Sequence, residues 1–301
     1  MLLFTAALTA SFPKLADFTK DTFVRYSCLI TAFIRGADFN RPDPIVQDPY
    51  AAALGGEFAA TLMKAFNADT NNDGSVHSCI RHRMMDEVIE HDLDPSVKQL
   101  VLLGAGMDSR SYRLARLADC HVFELDGSQE MMDYKSAVMN KMNATLISKA
   151  HDVIVTDIAQ YDWPTLLLAR GFDPKIPTVW IAEGFLYYVP LEGLDRLFAT
   201  VDRMSAPNSV FLADLIGKGT TKTDFQMSKN KEVIVSYNCT EKEEEEGGQL
   251  RSLTWSKEFL MHRNAAMEYS GTRWDPVKYA RLLACQDVLN LGTLGVVMAR
   301  K

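Results

Sequence analysis

The run Leu100-Val101-Leu102-Leu103 breaks at Gly104-Ala105-Gly106, and this break restricts what the chain can fold into more than any other stretch. Consecutive apolar residues ahead of two glycines read as a buried strand entering a tight turn. Asp108 and Ser109 then stand where a helix N-cap belongs, and Tyr112, Leu114 and Leu117 supply a packing face, so a helix is predicted after the turn. A second apolar run, His121 to Leu125, ends at Glu124 and Asp126. That places a carboxylate about 20 residues beyond the glycines, the separation at which an acid at a strand end grips ribose hydroxyls. The stretch thus predicts half of a nucleoside-binding site on a Rossmann-like α/β unit.

The rest of the chain is consistent with one large α/β domain plus decorations: 301 residues with 47% hydrophobic content can bury a full core. A formal net charge of −7 leaves no basic surface to neutralise phosphates, so no nucleic-acid partner is expected, and a small or peptidic substrate is favoured. The five cysteines, Cys28, Cys79, Cys120, Cys239 and Cys285, have no CxxC spacing and read as reduced core residues of a cytoplasmic protein. The opening MLLFTAALTASF lacks the basic start of a signal peptide and is expected to pack on the domain as a helix. No later segment approaches the ~20 apolar residues of a membrane span. The turn-rich stretch 67–75 carries acids and amides but no glutamate at the bidentate position of a calcium loop, so no metal is expected.

Ahead of the glycine turn, helices are predicted over 15–35 and 51–66, separated by Asn40-Arg41-Pro42-Asp43-Pro44 and Asp48-Pro49-Tyr50. A third, from Cys79 to Glu87, carries Arg81 and Arg83. A guanidinium there can pair with a cofactor carboxylate, although by spacing alone a solvated helix face is the favoured reading. Beyond Asp126 the order strand, acid, helix repeats: a helix over 129–142, a short strand over 144–147, a strand from Val153 ending near Asp157, and a strand from Pro177 ending at Glu183-Gly184. A helix over 191–204 and a strand from Ser209 to Asp214 follow. Between 217 and 255 the pattern turns polar, including Glu241-Lys242-Glu243-Glu244-Glu245-Glu246, which reads as an insertion, either a solvated face or a lid over the strand ends. Helices over 257–269 and 277–283 and a closing hairpin of 287–291 with 294–298 complete the expectation.

The glycine turn separates two cofactor classes in part. A dinucleotide site wants GxGxxG, whereas Ser109 holds the third glycine position, and Asp108 would set a negative charge against a pyrophosphate. A cofactor with an amino-acid end and no phosphate avoids both objections. S-adenosylmethionine is one: its ribose suits Asp126 or Glu124, its ammonium an acid or carbonyl, its carboxylate an arginine.

Leu103-Gly104-Ala105-Gly106-Met107-Asp108-Ser109-Arg110 with Tyr112-Arg113-Leu114, then Val122-Phe123-Glu124-Leu125-Asp126, then Trp180-Ile181-Ala182-Glu183-Gly184 through Leu186 and Tyr188, resemble the leucine carboxyl methyltransferase family. With Arg41-Pro42-Asp43 and Asp48-Pro49-Tyr50, the match runs in order across 30–215. The resemblance implies a class I methyltransferase fold: a mostly parallel α/β sheet, an N-terminal helical cap over 1–95, a cofactor-binding core over 96–215, a lid-like insertion over 216–256, and C-terminal helices with a closing hairpin over 257–301. It implies that Gly104 and Gly106 let the backbone approach the methionyl part of S-adenosylmethionine, that Asp126 takes the ribose, and that Asp157 with the Ile158 backbone faces adenine. Arg81 would pair with the cofactor carboxylate and Glu183 would lie by its amino-acid end. Arg35 is a second candidate for the carboxylate or for an acidic substrate. His82 stands where bacterial relatives commonly carry threonine.

Transfer of a sulfonium methyl chiefly requires nucleophile, carbon and sulfur in line. A carboxylate acceptor, ionised at neutral pH, needs no base; an alcohol or phenol would draw on His151, Tyr187, Tyr188 or Asp214, although each of them reads more readily as a core or surface residue. The expected partner is therefore a small-molecule or peptide methyl acceptor. Two other readings stay open at this point: a non-catalytic S-adenosylmethionine-binding regulatory protein, and a nicotinamide dehydrogenase.

Overall fold

The computed structural model describes residues 12, 14, 19–65, 73–159, 162–216, 222–228, 231–236, 250, 252–259 and 294–301. Seven of its strands form one sheet: β1 (Gln99–Leu103), β2 (His121–Asp126), β3 (Ala150–Val155), β4 (Thr178–Ala182), β5 (Val210–Ile216), β8 (Ser256–Phe259) and β9 (Leu294–Arg300). Their spatial order is β3-β2-β1-β4-β5-β9-β8. The first five run parallel, and β9 is antiparallel to both β5 and β8. This is the mostly parallel Rossmann-like sheet that the repeated strand, acid, helix order predicts. Strand order reverses between β1 and β4, and at such a switch point the loops from neighbouring strand ends diverge and leave a crevice for ligand.

β1 is buried along its whole length, and its alternating side chains feed two different cores. Leu100 and Leu102 pack with Ile80, Met84 and Val88 on one face, while Val101 and Leu103 join Trp180, Phe198 and Phe211 on the other. The first face is covered by α3 (Asp73–Glu87), which runs on into a π-helical turn, Val88–Asp92. The second is covered by α6 (Leu191–Arg203), whose Leu194, Leu197, Phe198 and Val201 recur at helical spacing. α4 (Gln129–Lys141) and the short α5 (Trp163–Ala169) follow β2 and β3. Two further helices, α1 (Lys20–Phe39) and α2 (Ala51–Ala65), pack on each other so closely that a Cβ at Gly36 would lie 2.4 Å from the Ala52 backbone. Thr19 caps α1 by accepting the Thr22 N–H at 3.2 Å. Phe12 stacks on Phe58 of α2 with ring centroids 4.3 Å apart.

Several expectations are overturned. No α-helix follows the glycine turn: Arg110–Tyr112 and Ala115–Asp119 are short 3₁₀ turns. Residues 144–147 form no strand; instead the Ile147 and Ser148 N–H groups bond the Ser111 carbonyl at 2.8 and 3.1 Å, and the third strand begins at Ala150. α3 starts at Asp73, inside the stretch read as a loop. Residues 257–259, expected to open a helix, belong instead to the strand β8, held by β9. The polar stretch after β5 contains a hairpin of β6 (Lys222–Ser228) and β7 (Lys231–Ser236), which comes close to α1 and α2. The acidic run 241–246, the remainder of the expected helices over 257–269 and 277–283, and the strand over 287–291 lie outside the described residues, as do 1–11. Among the described residues no helix is long and apolar enough to cross a membrane.

Candidate functional site

The carboxyl ends of β1, β2 and β4 open on a cavity of about 620 Å³, closed on the facing side by Val24, Arg25, Cys28 and Thr31 of α1. Its floor is the glycine turn. Gly104 and Gly106 have φ of +73° and +44°, left-handed values that residues with a Cβ avoid. The Gly104 and Ala105 N–H groups both bond the Leu125 carbonyl at 2.9 Å, which folds the turn over the end of β2. Asp126, the last residue of β2, completes the arrangement: its Oδ2 accepts the Gly106 N–H at 2.8 Å and its Oδ1 the Ser128 N–H at 2.9 Å. Burial pushes the Asp126 carboxyl above its ordinary range, with those two donors pulling the other way. The carboxylate is thereby fixed in orientation at one end of the cavity. Glu124, the other ribose candidate, is fully buried against Lys135 at 2.7 Å and does not line the cavity. Gly106→Ala is expected to cost about 1–2 kcal/mol from the backbone conformation alone. Its Cβ would also sit 2.7 Å from Cys28 Cβ. An unchanged melting temperature in that variant would refute this account of the turn.

A network of buried charges builds the opposite end. Glu183, just past β4, is bonded by Arg81 Nε at 3.3 Å, Arg110 Nη2 at 2.8 Å and His82 Nδ1 at 2.9 Å. Burial opposes its ionisation, but the neighbouring imidazole and guanidiniums outweigh this and hold Glu183 well below the ordinary carboxylate range. Arg113 Nη2 lies 2.7 Å from His82 Nε2 and can only donate, so Nε2 is the accepting nitrogen, while Nδ1 lies against both Glu183 and, at 3.0 Å, Arg110 Nη2. Burial likewise lowers the His82 pKa. Arg81 Nη1 donates to Asp214 Oδ2 at 2.7 Å, and Asp214 Oδ1 accepts the Gly184 N–H at 2.6 Å. Arg110, wholly buried, also bonds Asp86 at 2.7 Å and Asp108, while Arg113 grips Asp86 through both terminal nitrogens at 2.5 and 2.9 Å.

All eight residues proposed for the cofactor, Arg35, Arg81, Gly104, Gly106, Asp126, Asp157, Ile158 and Glu183, line this one cavity, together with Tyr188. Arg35 is held by Asp48 at 3.2 Å and by the Met107 carbonyl at 2.8 Å. The remaining catalytic candidates fall elsewhere. Asp214 is fully buried behind Arg81 rather than on the cavity wall. His151 faces Glu124 at 3.1 Å and, as the second residue of β3, lies at the strand's amino end, away from the cavity at the carboxyl ends. The side chain of Tyr187 lies outside the described residues. Asp108 does not cap a helix, since Arg110 neutralises it; the argument from its charge against a pyrophosphate therefore fails, and the absence of a helix N-terminus takes its place. Sequence reasoning missed Arg110, Arg113 and Asp86 as builders of the wall. Cys28 was also missed as a lining residue: burial pushes its thiol up to about 12, leaving it a neutral part of the wall.

The leucine carboxyl methyltransferase family matches residues 28–202 of the chain. A Mycobacteroides abscessus protein with the provisional name of an S-adenosyl-L-methionine-dependent methyltransferase is 36% identical over 192 residues, which cover 62% of this chain and 61% of its own. A similarly named protein of Frankia alni is 31% identical over 245 residues, 79% of this chain and 84% of its own. The crystal structure of a provisionally titled methyltransferase from Thermobifida fusca shares the fold with a TM-score of 0.55 at 14% identity, over 100% of this chain and 99% of its own.

Proposed function

This chain belongs to the leucine carboxyl methyltransferase family, and from that membership we propose that it transfers a methyl group from S-adenosyl-L-methionine to an oxygen of a small molecule or a peptide C-terminus. The observation that carries the reading is the pairing of two different receptors in one cavity. Asp126, aimed by two backbone N–H groups, suits ribose hydroxyls; Glu183 with Arg81 suits an ammonium and a carboxylate on one carbon. Asp157 and Ile158 at the end beyond β3 suit an adenine edge and face. When bound, the cofactor supplies a methyl carbon already activated by its positive sulfur. What the protein adds is placement: the glycine turn admits the methionyl chain against the backbone, and α1 with Phe185 and Tyr188 shapes the acceptor side and excludes water.

A carboxylate acceptor is favoured over a hydroxyl. Among the described residues the only imidazole lining the cavity is His82, whose two nitrogens are occupied by Glu183 and Arg113 and whose pKa is lowered by burial. His82 thus offers no base to an alcohol, which leaves Tyr188 as the candidate lining the cavity, whereas a carboxylate arrives ionised and needs none. Arg25 and Arg35 offer cations on the same wall to receive it.

Calorimetry with S-adenosylmethionine tests the cofactor assignment. Hydrogen bonds to a charged group contribute about 1.5–3 kcal/mol, so Asp126→Ala should weaken binding by about 10- to 100-fold. Asp126→Asn, which keeps an acceptor for the Gly106 N–H, should lose less. Equal affinity in Asp126→Ala and the parent would remove the ribose assignment. For the acceptor, label transferred from the cofactor should be released as methanol by mild base, as an ester requires; a base-stable product would overturn the carboxylate reading.

A further inference from the structure

Where β4 leaves the sheet, a side chain takes over from the ladder. The last residue pair of β4 and β5 is Ala182 with Ala213, whereas β5 runs on beside β9 through Ile216. β4 ends at that pair, and the chain turns through Glu183 and Gly184, whose φ is +69°. The next residue of β5 is Asp214, wholly buried, and its Oδ1 accepts the Gly184 N–H at 2.6 Å. Its Oδ2 accepts Arg81 Nη1 from α3 at 2.7 Å. One carboxylate behind the wall thus joins two parts of the cavity lining, since Arg81 and Gly184 line the cavity and Asp214 does not.

The consequence falls on Arg81. Glu183 Oε1 accepts its Nε–H at 3.3 Å while Asp214 accepts from Nη1, so two of the three guanidinium nitrogens are tied and the plane of the group has one orientation. The Glu183 bond is the longer, and Glu183 is shared with His82 and Arg110, which leaves Asp214 as the closer anchor. A planar guanidinium recognises a carboxylate through two parallel N–H groups, so its plane decides the affinity. A side chain held in that plane beforehand has less rotamer freedom left to lose when the ligand arrives.

We propose that Asp214 is a positioning residue for the amino-acid end of S-adenosylmethionine, setting from behind the wall the plane of Arg81 and the β4 exit that carries Glu183; this role rests on the reading of Arg81 as the partner of the cofactor carboxylate. Asp214 itself touches no part of the cofactor. An ion pair that served the fold alone would support the whole cavity evenly, whereas a positioning residue matters only to ligands that carry the amino-acid end.

Two ligands separate these roles. S-adenosylhomocysteine keeps the amino acid, and 5′-methylthioadenosine has the adenine, ribose and thioether without it. Both are titrated calorimetrically into the full chain, with circular dichroism of each variant as the check on folding. Asp214→Asn keeps the size of the side chain and an oxygen for the Gly184 N–H. It is expected to weaken S-adenosylhomocysteine at least tenfold while 5′-methylthioadenosine stays within about twofold of the parent. Arg81→Met should lose S-adenosylhomocysteine by at least as much, and the double variant no more than Arg81→Met alone, because Asp214 acts through Arg81. Should Asp214→Asn fail to fold, Asp214→Glu displaces the charge by one methylene and should weaken S-adenosylhomocysteine at least threefold with 5′-methylthioadenosine again unchanged. Equal loss of both ligands, full affinity for S-adenosylhomocysteine in the folded Asp214 variant, or additive losses in the double variant would overturn the positioning role. Full affinity in Arg81→Met would instead remove the carboxylate assignment beneath it, and the positioning role with it.

Discussion

Arg110→Met is expected to lower the stability of the fold by about 3–5 kcal/mol, because it leaves buried carboxylates without their cation. The side chain is 0% exposed and reaches three separate parts of the chain: Asp86 on α3 at 2.7 Å, Glu183 beyond β4 at 2.8 Å, and Asp108 in the glycine turn. Burial alone would oppose its charge, yet those carboxylates raise its pKa well above the ordinary guanidinium value, so it is a fixed cation. Its removal exposes each acid to the desolvation it was shielded from, and neutralising them by protonation at pH 7 adds cost for groups held below their normal range, as Asp86 and Glu183 are. Domains are stable by only about 5–15 kcal/mol, so the loss is a large share of the total. Urea denaturation of the parent, Arg110→Met and Arg110→Lys gives the measurement. Lys restores the charge but offers one point donor in place of a planar fork, and should recover only part of the loss. A change below about 1 kcal/mol in Arg110→Met would mean that the carboxylates find other partners, and the hub reading would fail.

Asp126 and the glycine turn were legible because each rests on a local rule: an apolar run covered on both faces, a turn that demands left-handed residues, an acid at the next strand end. The same rules exposed Asp157 and Glu183 as strand-end acids, and the structure brings all three to one cavity. Arg110 was not legible. Asp108-Ser109-Arg110-Ser111-Tyr112 reads locally as a capped helix, but Asp86 and Glu183, 24 and 73 residues away in sequence, draw the guanidinium inward and the helix gives way to a 3₁₀ turn. No window of sequence contains those partners. The strand at 256–259 was misread for a related reason: its extended state comes from pairing with β9, a strand about forty residues later, while its own residues have the composition of a helix face. His151, expected near a strand end that faces the site, is the second residue of β3 and so sits at the amino end of the sheet, where it meets Glu124. Arg81, which spacing alone reads as part of a solvated helix face, lies buried against Glu183 and Asp214.

Acidification should weaken the fold well before the carboxylates titrate, and His77 is the main reason. It sits buried on α3, and burial, reinforced by the Arg81 charge and opposed by Glu183, pushes its pKa down to about 3. The unfolded value is near 6.5. A depressed folded pKa means the contribution is fully present above about pH 6.5 and is lost as pH falls toward the folded value, since the unfolded chain takes up a proton that the native site refuses. Each unit of pH across that window removes about 1.4 kcal/mol for this one group, or about 3 kcal/mol between pH 6.5 and 4.5. His82, lowered for the same cause, adds to the slope. Below that range Asp86, Glu183, Glu124 and Asp48, all held down by neighbouring cations despite their burial, steepen the loss. Asp126 and Asp214 act in the opposite sense, because burial raises them and they fold more readily protonated. His77 Nε2 has no hydrogen-bond partner, so His77→Leu removes a titrating group without orphaning a neighbour. Unfolding free energies of the parent and His77→Leu, measured by urea denaturation from pH 7 to 4.5, should differ in slope by about 1.4 kcal/mol per unit, with the variant gaining on the parent as pH falls. Parallel curves would show that His77 accepts its proton inside the native protein, and α3 would then have to open at that point to let it in.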